Sequence, residues 1–127
     1  MSSGIISIDP GLTIGIATFI NNEYHTTNLT TLLELFEILD NDWELVLVEN
    51  YFGGGRLSSE GAQTLRIVGA VIGFCYKANI PVQINIPSSR VSGILHAQEI
   101  LANQHHSKHE LEALSHLIAH QKRNISI

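Results

Sequence analysis

The stretch GIISIDPGLTIGIA, residues 4–17, constrains the fold most, because it predicts two apolar strands joined by a tight turn. Residues 5–9 and 14–20 are rich in β-branched side chains, and Pro10-Gly11 favours the turn between them. The first strand ends in an acid, Asp9, which a buried strand does not need for its own stability. We therefore predict a β-hairpin that carries a functional carboxylate. The alternative interpretation is that Asp9 only braces the turn before Pro10.

The rest of the chain predicts a third strand around residues 23–28 and then strands that alternate with helices. The predicted helices lie in LTTLLELFEILDN, with Thr30 or Thr31 as N-cap, in residues 58–77 and in SKHELEALSHLIAHQ. The later strands lie in WELVLVEN and IPVQINIP, and SSRVSGILHAQEILAN is predicted as loop with some helix. This order predicts a single α/β domain over residues 1–127. Its mixed five-stranded sheet has three antiparallel meander strands plus two parallel strands and is flanked by helices.

Two acids end strands that we expect to be neighbours in this sheet. Asp9 and Glu49 each close an apolar strand, at the edge where open α/β sheets bind ligands. Carboxylates held close together repel each other, and a divalent cation such as Mg²⁺ or Mn²⁺ removes that cost. At about 100° per residue, one stripe of the last helix carries His109, Glu112, His116 and His120. That stripe is also consistent with a solvated face, or with half of a zinc site at His116 and His120.

The charge balance and hydropathy limit the functional classes. The net charge of −5 argues against a simple nucleic-acid coat, although five acids crowd into residues 34–44 and the bases are spread over the remainder. No apolar run reaches the ~18 residues of a membrane span. We therefore expect no membrane association and a cytoplasmic location, which is the host cytoplasm if a bacteriophage encodes the chain.

Four motifs, in order, resemble the RuvC-type Holliday junction resolvases of the RNase H-like superfamily. IISIDPGLTIGIA resembles their first strand and hairpin, and LVLVENYF resembles their second acidic strand. SSEGAQTLRIVGAVIG resembles the helix that supports dimerisation in bacterial members, and KHELEALSHLIAH resembles their closing helix. The length is closer to the compact versions that bacteriophages carry. The resemblance implies an RNase H-like fold and a single nuclease domain.

The resemblance also implies a catalytic and metal-binding set of Asp9, Glu49, His109 and Glu112. Aspartate is usual where this chain has Glu112, and Glu110 is the fallback ligand. The implied activity is that of a crossover junction endodeoxyribonuclease of DNA recombination and repair. It would cleave four-way and other branched DNA by two-metal hydrolysis with Mg²⁺ or Mn²⁺, two ions per active site.

The implied partners are branched DNA and a second copy of the chain. The position of Phe52 matches the DNA-stacking aromatic of the family, and Tyr51 lies beside it. Arg56, Arg90 and Lys108 are predicted to contact the DNA backbone. Symmetric cutting of a four-way junction needs two active sites, so a homodimer is predicted, with the helix around residues 62–75 as its interface.

Three other functions compete with this one. A YqgF-like RNA-processing nuclease shares the first motif, and a phosphate-binding fold of the actin and sugar-kinase type begins with a hairpin similar to DPGLTIG. The phosphate-binding fold needs two such domains around a nucleotide, and this chain has room for one. The last alternative is a non-catalytic module that binds branched DNA. Intact junction binding without any cleavage would favour it.

Overall fold

The computed structural model describes residues 4–50 and 59–124. A mixed five-stranded β-sheet lies at the centre of this part of the chain. Its strands follow the order β3-β2-β1-β4-β5 across the sheet. Their bounds are β1 Gly4–Asp9, β2 Ile14–Ile20, β3 Glu23–Leu29, β4 Trp43–Glu49 and β5 Val82–Asn85. The first three strands form an antiparallel meander, whereas β1–β4 and β4–β5 are parallel pairs. The predicted fold class is confirmed.

Four α-helices and one 3-10 segment accompany the sheet. They are α1 Leu32–Leu39, α2 Ser59–Ala78, the 3-10 segment Pro87–Gly93, α3 Ile94–Leu101 and α4 Lys108–Arg123. The 3-10 segment and α3 occupy the stretch predicted as loop with some helix. No helix in this described part of the chain is long and apolar enough to cross a bilayer.

Capping residues fix the starts of α1 and α4. The Thr31 side chain accepts a hydrogen bond from the Glu34 amide, and the Glu34 carboxylate bonds back to the Thr31 amide. Ser107 and Glu110 form the same reciprocal pair at the start of α4. Each capping box satisfies amides that have no partner within the helix. Of the two predicted caps for α1, Thr31 is the correct one.

The strands separate two cores because their side chains alternate between the two faces of the sheet. On one face, Ile6 and Ile8 of β1 pack with residues of α1 and α2 such as Leu35 and Val71. On the other face, Leu47 of β4 packs with α3 and with Leu114 of α4. Asp9 and Glu49 lie an even number of residues from Ile5 and Leu47, so their side chains are on this second face. The alternation therefore directs both acids towards α4.

Two glycines allow α4 to lie directly against its neighbours. A side chain at Gly15 of β2 would clash with the backbone carbonyl of His109, and one at Gly93 would clash with the carbonyl of Ser115. In contrast, apart from the adjacent part of α2 itself, none of residues 4–50 and 59–124 has an atom within 4 Å of a Cβ built on Gly69 or Gly73 of α2. Close packing against another of these residues therefore does not explain the two α2 glycines.

An acidic segment lies at the end of the sheet opposite the ends of β1 and β4. Glu37, Asp40, Asp42 and Glu44 are exposed around the C-terminus of α1 and the start of β4. The seven residues of β4 separate this segment from Glu49. At ~3.3 Å per residue, the distance is roughly 20 Å. The acids that crowd into residues 34–44 therefore lie mostly far from Asp9 and Glu49.

Candidate metal centre

Asp9 and Glu49 end adjacent parallel strands on the same face of the sheet. The register pairs Ile8 of β1 with Val48 of β4, and each acid is the next residue of its strand. Asp9 is 2% exposed, because α4 covers it, and Glu49 is half-buried. The predicted convergence of these two acids at one sheet edge is thus observed.

The first turns of α4 bring a histidine and a third acid to Asp9. A hydrogen bond of 2.8 Å joins His109 Nδ1 and Asp9 Oδ2. One ligand atom each from Asp9, His109 and Glu112 lie within 4.8 Å of one another. Glu112 thus reaches Asp9 despite the extra methylene that distinguishes it from aspartate. Its carboxylate also lies 3.8 Å from the exposed Lys108 ammonium.

Glu49 lies on another wall of the same site and has two partners of its own. His116 Nε2 donates a hydrogen bond of 2.9 Å to Glu49 Oε1. Arg90 Nη1, from the 3-10 segment, lies 3.4 Å from the same oxygen and also donates to the Pro87 carbonyl at 2.8 Å. Both contacts involve Oε1, so the other oxygen of Glu49 is engaged by neither group.

The grouped acids shift each other's proton affinity. Burial, and after it the neighbouring Glu49 and Glu112 carboxylates, together raise the pKa of Asp9 to about 9. For Glu49, burial acts to raise the pKa, but hydrogen bonds from His116 and Asp9 and the charges of His116 and Arg90 lower it overall. Without a cation, Asp9 therefore tends to keep its proton while Glu49 is ionised.

The donor set fits a hard divalent cation. Four carboxylates (Asp9, Glu49, Glu60 and Glu112) and the imidazole of His109 line a cavity of about 330 Å³, and oxygen-rich sets of this kind suit Mg²⁺ or Mn²⁺. Burial first and the neighbouring carboxylates second make the ionised form of Asp9 unfavourable, and a bound cation would offset both effects. Glu60 and Thr64 of α2 line the same cavity.

The other predicted residues lie at different distances from this centre. Lys108 is exposed at its rim, whereas Arg90 contacts Glu49 directly. His120, on the predicted stripe, does not line the cavity and pairs with Asn124. The predicted DNA-contacting residues Tyr51, Phe52 and Arg56 lie outside the described residues.

Glu110, the fallback ligand, makes hydrogen bonds that stabilise the fold and does not line the cavity. Its buried carboxylate accepts hydrogen bonds of 2.6 Å from Thr26 Oγ1 and from Asn28 Nδ2, both on β3. It also caps α4, so it faces β3 rather than Asp9.

Sequence reasoning missed three features of the site. The sequence places Glu60 and Thr64 in a predicted helix without assigning them to the site, and it does not indicate the contact between His116 and Glu49. The available signal is the acid in the first turn of α2, Glu60, which lies five residues after the last of the three successive glycines at 53–55. His116 was on the predicted stripe, but periodicity does not indicate which strand residue a helical side chain meets.

Comparisons with known proteins identify the fold. No family model matches the sequence, and no curated protein matches it. Among solved structures, Thermus thermophilus RuvC in complex with a Holliday junction substrate has a TM-score of 0.73 and 18% identity, over 94% of this chain and 93% of that one. A second T. thermophilus RuvC structure has a TM-score of 0.63 and 18% identity, over 93% of each chain. The fowlpox virus resolvase, in complex with Holliday junction DNA, has a TM-score of 0.60 and 12% identity, over 95% of this chain and 99% of that one. Over nearly its whole length, the chain has the RNase H-like fold of RuvC.

Proposed function

We propose that this chain is a metal-dependent, structure-selective endodeoxyribonuclease that cleaves four-way DNA junctions. The observation that carries the proposal is the meeting of Asp9, Glu49, His109 and Glu112 around one cavity, at the C-terminal ends of β1 and β4. The fold supports it, since two of the similar structures are resolvases in complex with Holliday junctions.

Each residue of the set has a proposed role. Asp9, Glu49 and Glu112 would hold two Mg²⁺ or Mn²⁺ ions, and Asp9 would contribute to both sites. His109 either completes the metal site or moves a proton, and its hydrogen bond to Asp9 orients the imidazole for both tasks. Bound ions would supply Lewis acidity and neutralise the charge of the reacting phosphate.

Junction binding is proposed to involve groups around this site. Lys108 is exposed at the rim and suits a contact with the phosphate backbone. Arg90 is about one-third exposed and can reach a phosphate only if its contact with Glu49 loosens. Tyr51, Phe52 and Arg56 remain predicted DNA contacts from the sequence.

A homodimer is proposed because two symmetric cuts need two sites. The outer face of α2 supports it: Leu65 and Tyr76 are 40% and 80% exposed, and Gly69 and Gly73 leave room for a second helix. Sedimentation of wild-type protein tests this proposal. A species that stays at the 14.0 kDa protomer mass at all concentrations would contradict it.

The activity is tested with labelled four-way, three-way and linear DNA in Mg²⁺ or Mn²⁺. We expect symmetric nicks near the crossover of the four-way junction with wild-type protein, and none with Asp9→Asn. The matched control is Asp42→Asn, an exposed acid in the distant acidic segment, which should cleave like wild type. Junction binding without cleavage by wild-type protein would favour the non-catalytic module. Cleavage of RNA in preference to branched DNA would favour the YqgF-like alternative.

A further inference from the structure

We infer that His116 is a positioning residue that orients the Glu49 carboxylate towards the metal centre. The inference rests on the proposed function, because it concerns how one proposed ligand is held. It assigns a task to a histidine that the four-residue set does not include.

The contact is specific at the level of single atoms. Glu49 Oε1 accepts from His116 Nε2 at 2.9 Å and lies 3.4 Å from Arg90 Nη1. With Oε1 occupied from two sides, rotation of the carboxylate is restricted. The second oxygen is then the one presented to a cation. Hydrogen bonds of this kind orient metal-binding side chains in many proteins.

The surroundings of His116 indicate that packing in the core does not explain why a histidine occupies this position. The residue is 1% exposed, between Ser115 and Leu117 in the buried part of α4. Its Nδ1 atom is buried, and no residue among 4–50 and 59–124 forms a hydrogen bond with it. A buried polar atom without a partner is destabilising, and an apolar side chain would avoid that cost. The hydrogen bond to Glu49 is therefore what this imidazole contributes.

The backbone around His116 makes the contact rigid. Ser115, its neighbour, lies against Gly93 of the 3-10 segment without space for a side chain between them. The same 3-10 segment carries Arg90. One packed unit of α4 and the 3-10 segment thus supplies both groups that contact Glu49 Oε1.

Two substitutions of His116 separate positioning from packing. His116→Gln places an amide nitrogen near the position of Nε2, and His116→Asn is polar but too short to reach Glu49. We measure Mn²⁺ affinity by calorimetry without DNA, melting temperature in EDTA, and cleavage against Mn²⁺ concentration. We expect Asn to weaken Mn²⁺ binding by roughly 10–100-fold and Gln to remain within a few-fold of wild type. Cleavage by the Asn variant should recover at saturating Mn²⁺.

A double substitution tests whether His116 acts through Glu49. Once Glu49→Gln is present, adding His116→Asn should cause no further loss of Mn²⁺ affinity. Wild-type Mn²⁺ affinity in His116→Asn, or equal losses in the Asn and Gln variants, would overturn the inference. If wild-type protein itself neither binds Mn²⁺ nor cleaves junctions, the proposed function fails instead. If it does both and His116→Asn matches it, only the inference fails.

Discussion

Asp9 permits a direct stability test of the site, because a buried acid beside two other acids is costly when no cation is bound. Its pKa is about 9 in the folded protein and 3.8 for an ordinary aspartate. The folded state therefore binds more protons than the unfolded state between these values, and stability falls as the pH rises through that window. The stability that proton binding by Asp9 contributes to the folded state is fully present below pH 3.8 and is lost by about pH 9.

The magnitude follows from the distance between the working pH and the ordinary pKa. Keeping Asp9 protonated at pH 7.5 costs up to ~5 kcal/mol, since each pH unit above 3.8 corresponds to ~1.4 kcal/mol. Asp9→Asn removes the need for that proton, and the amide can still accept from His109. Because Glu49 and Glu112 share the cost, we expect ~1–3 kcal/mol of added stability. For a domain of this size, the melting temperature should rise by roughly 3–12 °C.

The assay is thermal unfolding of wild type, Asp9→Asn and Asp42→Asn in EDTA at several pH values. The advantage of Asp9→Asn should grow from pH 5.5 to pH 8, and Asp42→Asn should match wild type at each pH. Saturating Mn²⁺ should raise the melting temperature of wild type more than that of Asp9→Asn. An Asp9→Asn variant that is no more stable than wild type in EDTA at pH 7.5, or whose advantage does not depend on pH, would refute the reasoning.

Further substitutions test the placement of α4. Gly15→Ala directs a methyl group at the His109 carbonyl, so we expect a loss of ~1–3 kcal/mol in chemical denaturation and weaker Mn²⁺ binding in calorimetry. The matched control Gly69→Ala has open space among the described residues of the protomer and should gain ~0.5–1 kcal/mol at protein concentrations where the chain is monomeric; equal losses at both glycines would contradict the clash. Glu110→Gln weakens the hydrogen bonds with β3 and should cost ~1–3 kcal/mol while Mn²⁺ affinity stays within a few-fold. Lost Mn²⁺ affinity without lost stability would instead make Glu110 a ligand.

The four proposed ligands could be grouped from the sequence because each occupies a position that local periodicity defines. Asp9 and Glu49 end apolar strands, and the ends of adjacent parallel strands meet at one sheet edge. His109 and Glu112 are three apart in a helix, so they share one side of it. At about 100° per residue, Glu110 lies on a different side of the helix, in agreement with its contacts to β3.

The remaining contacts depend on packing that no local pattern encodes. Arg90 reaches Glu49 because the 3-10 segment lies against α4, which requires the close approach at Gly93. Glu60 lines the cavity because of the direction in which α2 begins after the glycine-rich residues. The sequence shows a base at position 90 and an acid at position 60, but it contains no information about the distances from these residues to Glu49 and Asp9.

The acidic segment beyond α1 affects how the molecule responds to ionic strength. It lies roughly 20 Å from the candidate metal centre, which exceeds two Debye lengths at ~0.15 M salt, where one Debye length is ~8 Å. Under those conditions a polyanion near the centre interacts mainly with the local groups there, and the net charge of −5 is a poor guide to its binding. In ~0.01 M salt the Debye length reaches ~30 Å, and both ends of the molecule then act together. Dilute buffer usually strengthens nucleic-acid binding. Here repulsion from the acidic segment should partly offset that gain.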